Sequence, residues 1–313
     1  MIIGYGGYAR IHHPPRTDKV IPKQYGGKLK FIQRYTNEDD IQIANGEIAR
    51  KIFDPETKMS RDLLGLYKRP HKYFSEIRNY YKGDMLHYLR EFVYKKNDLK
   101  LFYRIMVNMG DFMNGLVRLH KEGWVHRDIK PSNILYDNKS FYLIDWATAL
   151  KFLDSFSEKY NNWHEGDNSN LPPEYKSFAH FKYKFPLEND DFAQEYIKNG
   201  NVSKIIIKIQ HNYIKKLRKA NKHIQKELES TTDLNKLLTK IAPKTDVFAM
   251  GLVLSQIYIV LAMEDLYDKP IHTDITRIFR NMLNPNPFRR WTMKKSVNEF
   301  NKILPKIKHY IKK

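Results

Sequence analysis

Cysteine is absent from this 313-residue chain. That removes a disulfide framework and any thiolate-held metal, and it is compatible with a reducing compartment. Long apolar runs are missing as well. No stretch approaches the roughly 20 apolar residues that a membrane helix needs. The longest apolar segment, around Phe248 to Met263, is interrupted by Ser255 and Gln256 and reads as a buried helix. The opening MIIGYGGYAR holds no apolar run of signal-peptide length. The expectation is a soluble intracellular protein, placed in the cytoplasm. Acidic residues are scarce relative to basic ones, 35 against 55, which leaves a formal net charge of +20. Such an excess favours anionic partners such as nucleic acid, anionic lipid or acidic protein surfaces, against the plainer reading of a lysine surface that serves solubility. Apolar residues, in contrast, make up 42% of the chain, enough to bury a sizeable core and to exclude wholesale disorder. The length suits one two-lobed domain or two small ones.

Residues 1–35 read as strands: Ile2, Ile3 and Ile11 flank a glycine turn, and Leu29, Phe31 and Ile32 form a short apolar run. Ile41, Ala44, Ile48 and Ile52 recur near helical spacing over 37–53, with Asn37 at the N-cap position. Residues 54–82 leave room for two strands. Residues 84–122 contain no proline and read as helix, and 124–145 alternate short apolar runs with polar turns. Residues 146–174 lack periodicity and read as loop. Ile205, Ile209, Tyr213 and Leu217 give helical spacing within a Lys-rich stretch over 195–240, with a helix expected from Val202 to Glu227. A helix over 246–262 follows, then helices over 274–310 broken at Pro285 and Pro287. No internal repeat is visible.

The chemistry concentrates in His126-Arg127-Asp128-Ile129-Lys130-Pro131-Ser132-Asn133, followed by Ile144-Asp145-Trp146-Ala147. Moving a phosphoryl group to a hydroxyl needs positioning, metal-held charge and an acceptor for the hydroxyl proton. Asp128 is the residue type that accepts such a proton, and Lys130 is one that neutralises charge on the transferred group. Asn133 and Asp145 offer the hard oxygens that Mg²⁺ prefers.

This stretch resembles the catalytic loop and metal-binding motif of eukaryotic-type protein kinases, and Lys130, two places after Asp128, resembles the Ser/Thr branch. The resemblance implies a serine/threonine kinase using ATP and Mg²⁺, acting on protein substrates with a Ser or Thr acceptor. Asp128 and Lys130 are then the catalytic residues, and Asn133 and Asp145 the metal ligands. Other segments follow the family order. Gly4, Gly6, Gly7, Ala9 and Ile11 resemble the glycine-rich loop over the ATP phosphates, with Ala9 at the third glycine. Lys30 resembles the phosphate-holding strand lysine, with Lys28 and Lys23 as competitors. Glu47 is its helix partner, ahead of Glu38. Lys82-Gly83-Asp84 resembles the segment beside adenine and ribose. Leu171-Pro172-Pro173-Glu174 resembles the motif closing the activation segment, and Asp246 begins the helix that anchors the catalytic loop. Arg290 is the implied ion-pair partner of Glu174. The expected fold is α+β and bilobal: a β-rich small lobe over 1–81, and a mainly helical lobe over 82–313 carrying a basic helical insert at about 176–242.

The sequence also departs from the family. Trp146-Ala147 stands where Phe-Gly is usual, and Ala restricts a backbone that Gly would leave free. Asp167 or Ser169 takes a position that commonly holds Thr. The segment between Glu174 and Asp246 is far longer than the family usually has. Being Lys-rich, it is read either as a solvated helix or as a recruiter of an acidic partner or nucleic acid. Thr148, Ser155, Ser157 and Ser169 are possible phosphorylation positions facing Arg127. Gly6-Gly7-Tyr8, His13-Pro14-Pro15 and Phe53-Asp54-Pro55 resemble kinases of large DNA viruses, which would place the chain in host cytoplasm or virion. The rival readings are a pseudokinase or scaffold, which would not need Asp128, Lys130, Asn133 and Asp145 together, and a nucleic-acid-associated binding protein working through the insert. A small-molecule kinase on the same fold is a further rival; Pro172-Pro173-Glu174 and Arg290 favour the protein-acceptor branch.

Overall fold

The computed structural model describes residues 2–5, 9–12, 29–35, 48–50, 52–53, 65–69, 73–79, 83–85, 99–136, 140–156, 172–183, 212–262 and 270–312. Five strands form one antiparallel sheet in the order β1-β2-β3-β5-β4. They are β1 (Ile2–Tyr5), β2 (Ala9–His12), β3 (Leu29–Tyr35), β4 (Gly65–Arg69) and β5 (Tyr73–Asn79). Both strands allowed for within 54–82 are present. The register places Gly4 opposite Ile11 and Lys30 opposite Arg78, with an irregularity between Ile2 and Gly4. Residues 48–50 and 52–53 are helical, inside the helix expected over 37–53.

Beyond the sheet the chain is mostly helix. Helix α1 (Leu99–Lys121) ends in the basic residues Arg118, His120 and Lys121, and the charges of Arg118 and Lys121 suit the negative end of its dipole. Its buried residues Ile105, Met109, Phe112, Leu116 and Leu119 recur at three- and four-residue spacing and enter the main core. Gly115 is required by contact. A Cβ there would lie 2.7 Å from the Phe53 ring, so the 48–53 segment sits directly on the helix backbone. The Arg118 guanidinium donates to the Phe53 carbonyl at 2.6 Å, satisfying an acceptor at that segment's end.

The helices α5 (Pro243–Ala262), α6 (Pro270–Met282) and α7 (Met293–Lys312) complete this core with α1. Pro285 and Pro287 lie between α6 and α7, as expected, whereas Pro305 sits within α7. Helix α5 is apolar on most sides, and Val247, Phe248, Met250, Val253, Leu254 and Ile257 are all buried. No described helix is long and apolar enough to cross a membrane.

A second core lies under the Lys-rich segment. Helix α2 (Pro173–Tyr183) packs on α3 (Tyr213–Ser230), and α4 (Leu234–Ile241) closes beside them. Tyr175, Phe178, Ile224, Leu228, Leu237, Leu238 and Ile241 are buried together. Three expectations need correction here. The helix expected from Val202 to Glu227 does not run through Asn212, whose φ of 59° is left-handed; the described helix starts at Tyr213, and residues 202–211 lie outside the described residues. A turn at 231–233 then starts α4 as a separate helix, with the Asp233 carboxylate accepting the Lys236 amide at 2.9 Å. The loop read over 146–174 holds short 3-10 turns at Trp146–Thr148 and Asp154–Phe156, and Glu174 already belongs to α2. Asp84 is likewise strand rather than helix, in β6 (Gly83–Asp84). The helical content and few strands are compatible with a kinase-like fold.

Candidate functional site

Four short strands frame the motif stretch. β7 (Trp124–Val125) pairs with β10 (Leu150–Lys151), and β8 (Ile134–Tyr136) lies between β6 and β9 (Phe141–Leu143). The loop from His126 to Asn133 connects β7 to β8, and helix α5 satisfies the amides of its first two residues. The buried carboxylate of Asp246 accepts the amide of His126 at 2.8 Å and that of Arg127 at 2.9 Å, with His120 Nε2 3.1 Å away. Burial alone would raise the Asp246 carboxyl; the His120 hydrogen bond and the surrounding positive charge and amides outweigh it and hold the group below its ordinary range. These bonds help to hold Arg127 at a φ of 72°, a left-handed backbone that costs a non-glycine residue roughly 1–2 kcal/mol.

His126 is fully buried. Its Nδ1 accepts the Asp128 amide at 3.2 Å, and its Nε2 faces the Ile144 carbonyl at 3.1 Å. An acceptor at Nδ1 and a donor at Nε2 define the neutral ring. Burial pushes its pKa below the ordinary 6.5 despite the carboxylates of Asp246, Asp128 and Asp145. The Trp146 indole packs edge-on against the His126 ring at 4.6 Å, and its N–H donates to the Leu143 carbonyl at 2.9 Å. Phe53 meets the same indole at 5.3 Å, so the 48–53 segment, α1 and this loop share one core.

Above this floor three predicted residues converge. Lys130 Nζ donates to Asp128 Oδ2 at 2.7 Å, and Asn133 Nδ2 donates to the same oxygen at 2.8 Å. Asn133 Nδ2 also reaches the Asp128 carbonyl at 2.9 Å. Both amide protons of Asn133 point toward Asp128, which leaves its Oδ1 without a donor among the described residues. Asp145 follows directly. The Ile144 amide donates to the Asn133 carbonyl at 3.0 Å, β8 pairs Ile134 with Leu143, and Asp145 itself turns at a φ of 64°. An amide oxygen and a carboxylate are a donor set that fits Mg²⁺. Among the described residues no group of three or more His, Asp or Glu side chains forms a self-contained metal cage.

The other predicted residues stand apart. Gly4, Ala9, Ile11 and Lys30 lie on the five-stranded sheet, at the register positions given above. Asp84 pairs with Leu135 across β6 and β8, beside the loop's exit strand. Gly6, Gly7, Glu47, Lys23, Lys28, Asp167 and Ser169 lie outside the described residues. Among the phosphorylation positions, Ser157 and Ser169 are outside them too. Ser155 is fully buried with its hydroxyl on the Phe152 carbonyl, and the Thr148 hydroxyl donates to the His126 carbonyl.

Glu174 and Arg290 meet as expected, fully buried, with two parallel bonds of 2.5 and 2.9 Å. Arg290 also donates to the Asn284 and Lys244 carbonyls and lies 4.8 Å from the Phe248 ring centre. Lys244 donates to the Arg290 carbonyl at 2.6 Å; burial first, and then the Arg290 charge, lower its ammonium pKa to about 8. Two contacts had no readable signal in the sequence. His120 braces Asp246 from the last turn of α1, and the Tyr175 ring lies 5.8 Å from the Arg127 guanidinium. These partners are 126 and 48 positions apart in the chain, beyond any local pattern.

Comparison with known proteins finds similarity over part of the chain. The family described as Protein kinase domain matches residues 62–176. That span includes Asp128, Lys130, Asn133, Asp145 and Glu174, and excludes the glycine-rich start, Lys30 and Glu47. Serine/threonine-protein kinase ppk21 of Schizosaccharomyces pombe is 24% identical over 155 residues, 47% of this chain and 26% of that protein. Serine/threonine-protein kinase PSK1 of Saccharomyces cerevisiae is 30% identical over 97 residues, 27% of this chain and 7% of that protein. Crinkler effector protein 8 of Phytophthora infestans is 41% identical over 49 residues, 15% of this chain and 8% of that protein. The chain thus spans about a quarter or less of the curated relatives it matches. Over these spans the chain is similar to serine/threonine protein kinases.

Proposed function

We propose that the chain is a serine/threonine protein kinase, built as one bilobal domain over 1–313 with ATP between the five-stranded sheet and the helical body. The observation that carries this reading is the convergence of Lys130 Nζ and Asn133 Nδ2 on one oxygen of Asp128, with Asp145 next to Ile144, whose amide donates to the Asn133 carbonyl. The Ser or Thr hydroxyl oxygen of the acceptor bonds to the γ-phosphorus as the bond to the β,γ-bridging oxygen breaks, and ADP leaves. Asp128 orients the hydroxyl and takes its proton. Lys130, already at Asp128, steadies the negative charge on the transferred group. Asn133 Oδ1 and the Asp145 carboxylate would hold Mg²⁺, which would neutralise phosphate charge when bound. Gly4, Gly6, Gly7, Ala9 and Ile11 cover the phosphates, Lys30 paired with Glu47 orients them, and Asp84 lies beside the ribose.

The test is γ-phosphate transfer from ATP with Mg²⁺ to generic basic and acidic proteins, run beside Asp145→Ala. Transfer by the natural chain and loss in the variant is the expected result. Equal signal from both would remove the proposed chemistry.

A further inference from the structure

Helix α3 has two faces of opposite chemistry. Tyr213, Leu217, Ala220, Ile224 and Leu228 are buried, and Ile224 and Leu228 share a core with Tyr175 and Phe178 of α2. At 3.6 residues per turn, Lys215, Lys219, Lys222 and Lys226 fall in one stripe on the opposite side, and all four are exposed. Lys216 and Arg218 flank it. The stripe runs for about 16 Å along the helix, at a rise of ~1.5 Å per residue. No carboxylate occurs in α3 before Glu227, which is engaged by His223 at 3.4 Å. Among the described residues, the four stripe lysines form no ion pair.

This arrangement works against the helix that carries it. Lys215 and Lys216 occupy the first turn, where the positive end of the dipole repels cations; no acid lies there, and Asn212 makes no side-chain cap. Lys215 with Lys219, and Lys222 with Lys226, are like-charged pairs four residues apart, and each pair is destabilising. A surface that served solubility alone would mix signs. An anionic ligand relieves every one of these repulsions.

Position selects the kind of anion. The apolar side of α3 is already covered by α2, so the helix has no apolar face to lay into a bilayer. The stripe carries no aromatic ring on which unpaired bases would stack. Helix α2 beneath it carries Tyr175, whose ring meets Arg127, the residue before Asp128. A protein held on α3 is therefore tethered close to Asp128, which raises the effective concentration of its hydroxyls there. We propose that the Lys215, Lys219, Lys222 and Lys226 face of α3 docks an acidic segment of the protein substrate. The proposal rests on the phosphotransfer reading above.

The test uses the full chain and its K215Q/K219Q/K222Q/K226Q variant. The probes are a fluorescent Ser-containing peptide with a glutamate run, the same peptide with glutamines, and a DNA duplex. Anisotropy at low salt reads binding without turnover. The natural chain should bind the glutamate peptide about tenfold more tightly than the glutamine one, and the variant should lose that preference. Turnover should show the same preference in KM, with kcat and glutamine-peptide turnover unchanged in the variant. An all-arginine version of the stripe should restore binding. Equal binding of the glutamate peptide by the natural chain and the glutamine variant would overturn the proposal, as would tighter, lysine-dependent binding of the duplex. Lysine-dependent binding of the glutamate peptide without any phosphate transfer would support the docking face and refute the phosphotransfer reading instead.

Discussion

Two acid–base pairs, in two regions of the molecule, show how burial assigns a role. Glu174 and Arg290 are both fully buried and joined by two parallel bonds, and Arg290 donates two further bonds to carbonyls. Asp128 and Lys130 are closely matched in distance, at 2.7 Å, but their side chains are 24% and 35% exposed. The first pair has no access to a substrate and joins α2 to the turn before α7. The second keeps access to solvent, and its geometry depends on the Asn133 amide and the Asp246-anchored loop. Ion-pair chemistry is shared; enclosure makes one structural and leaves the other free to act.

The comparison can be broken from either side. The largest expected effect is on rate. Asp128→Asn should lower phosphate transfer by about 10²–10⁴-fold, the usual worth of a positioned general base, while its melting temperature stays near that of the natural chain. Next is stability. Arg290→Met leaves Glu174 as a buried unpaired carboxylate and should cost about 3–5 kcal/mol, seen as a melting point lower by on the order of 10 °C. A variant that melted normally would show that the pair is dispensable. Gly115→Ala is smaller. Its Cβ would meet the Phe53 ring at 2.7 Å, so thermal denaturation should register a loss of about 1–3 kcal/mol as the 48–53 segment is pushed off α1.

The smallest effect is on pH dependence. Burial keeps His126 neutral when the unfolded chain would take up a proton, so stability should decline as pH falls below 6.5. Asp246 acts further into acid. Its folded carboxyl titrates below the ordinary 3.8, so its contribution is present above that value and is lost as pH falls through the lower, folded one. Melting curves across this range should slope downward toward acid, and His126→Asn should flatten the part nearest 6.5.

Much of the site was legible because its residues are close in the chain. Asp128, Lys130 and Asn133 fall within one loop, and Asp145 follows two residues after β9, so spacing and residue type pointed to them. The helix over 246–262 was legible from its uniform apolarity, and the helix break near Pro285 and Pro287 from ring chemistry. The helix of the insert was misread at Asn212 because Ile205, Ile209, Tyr213 and Leu217 keep helical spacing through it, and periodicity carries no sign of a left-handed residue. Glu174 was assigned to a loop because 146–174 lack periodicity, although the proline before it suits the first position of a helix.

The sequence by itself determined which residue types stand at the loop, the excess of positive charge, and the alternation that makes α3 amphipathic. Only the tertiary structure decided what each charge meets. Asp246 became an anchor because His120 and the amides of two loop residues converge on it, and Arg290 became structural because its guanidinium is enclosed. The physical reason is that burial and hydrogen bonding between distant segments set the fate of a charge, and neither is written in local spacing.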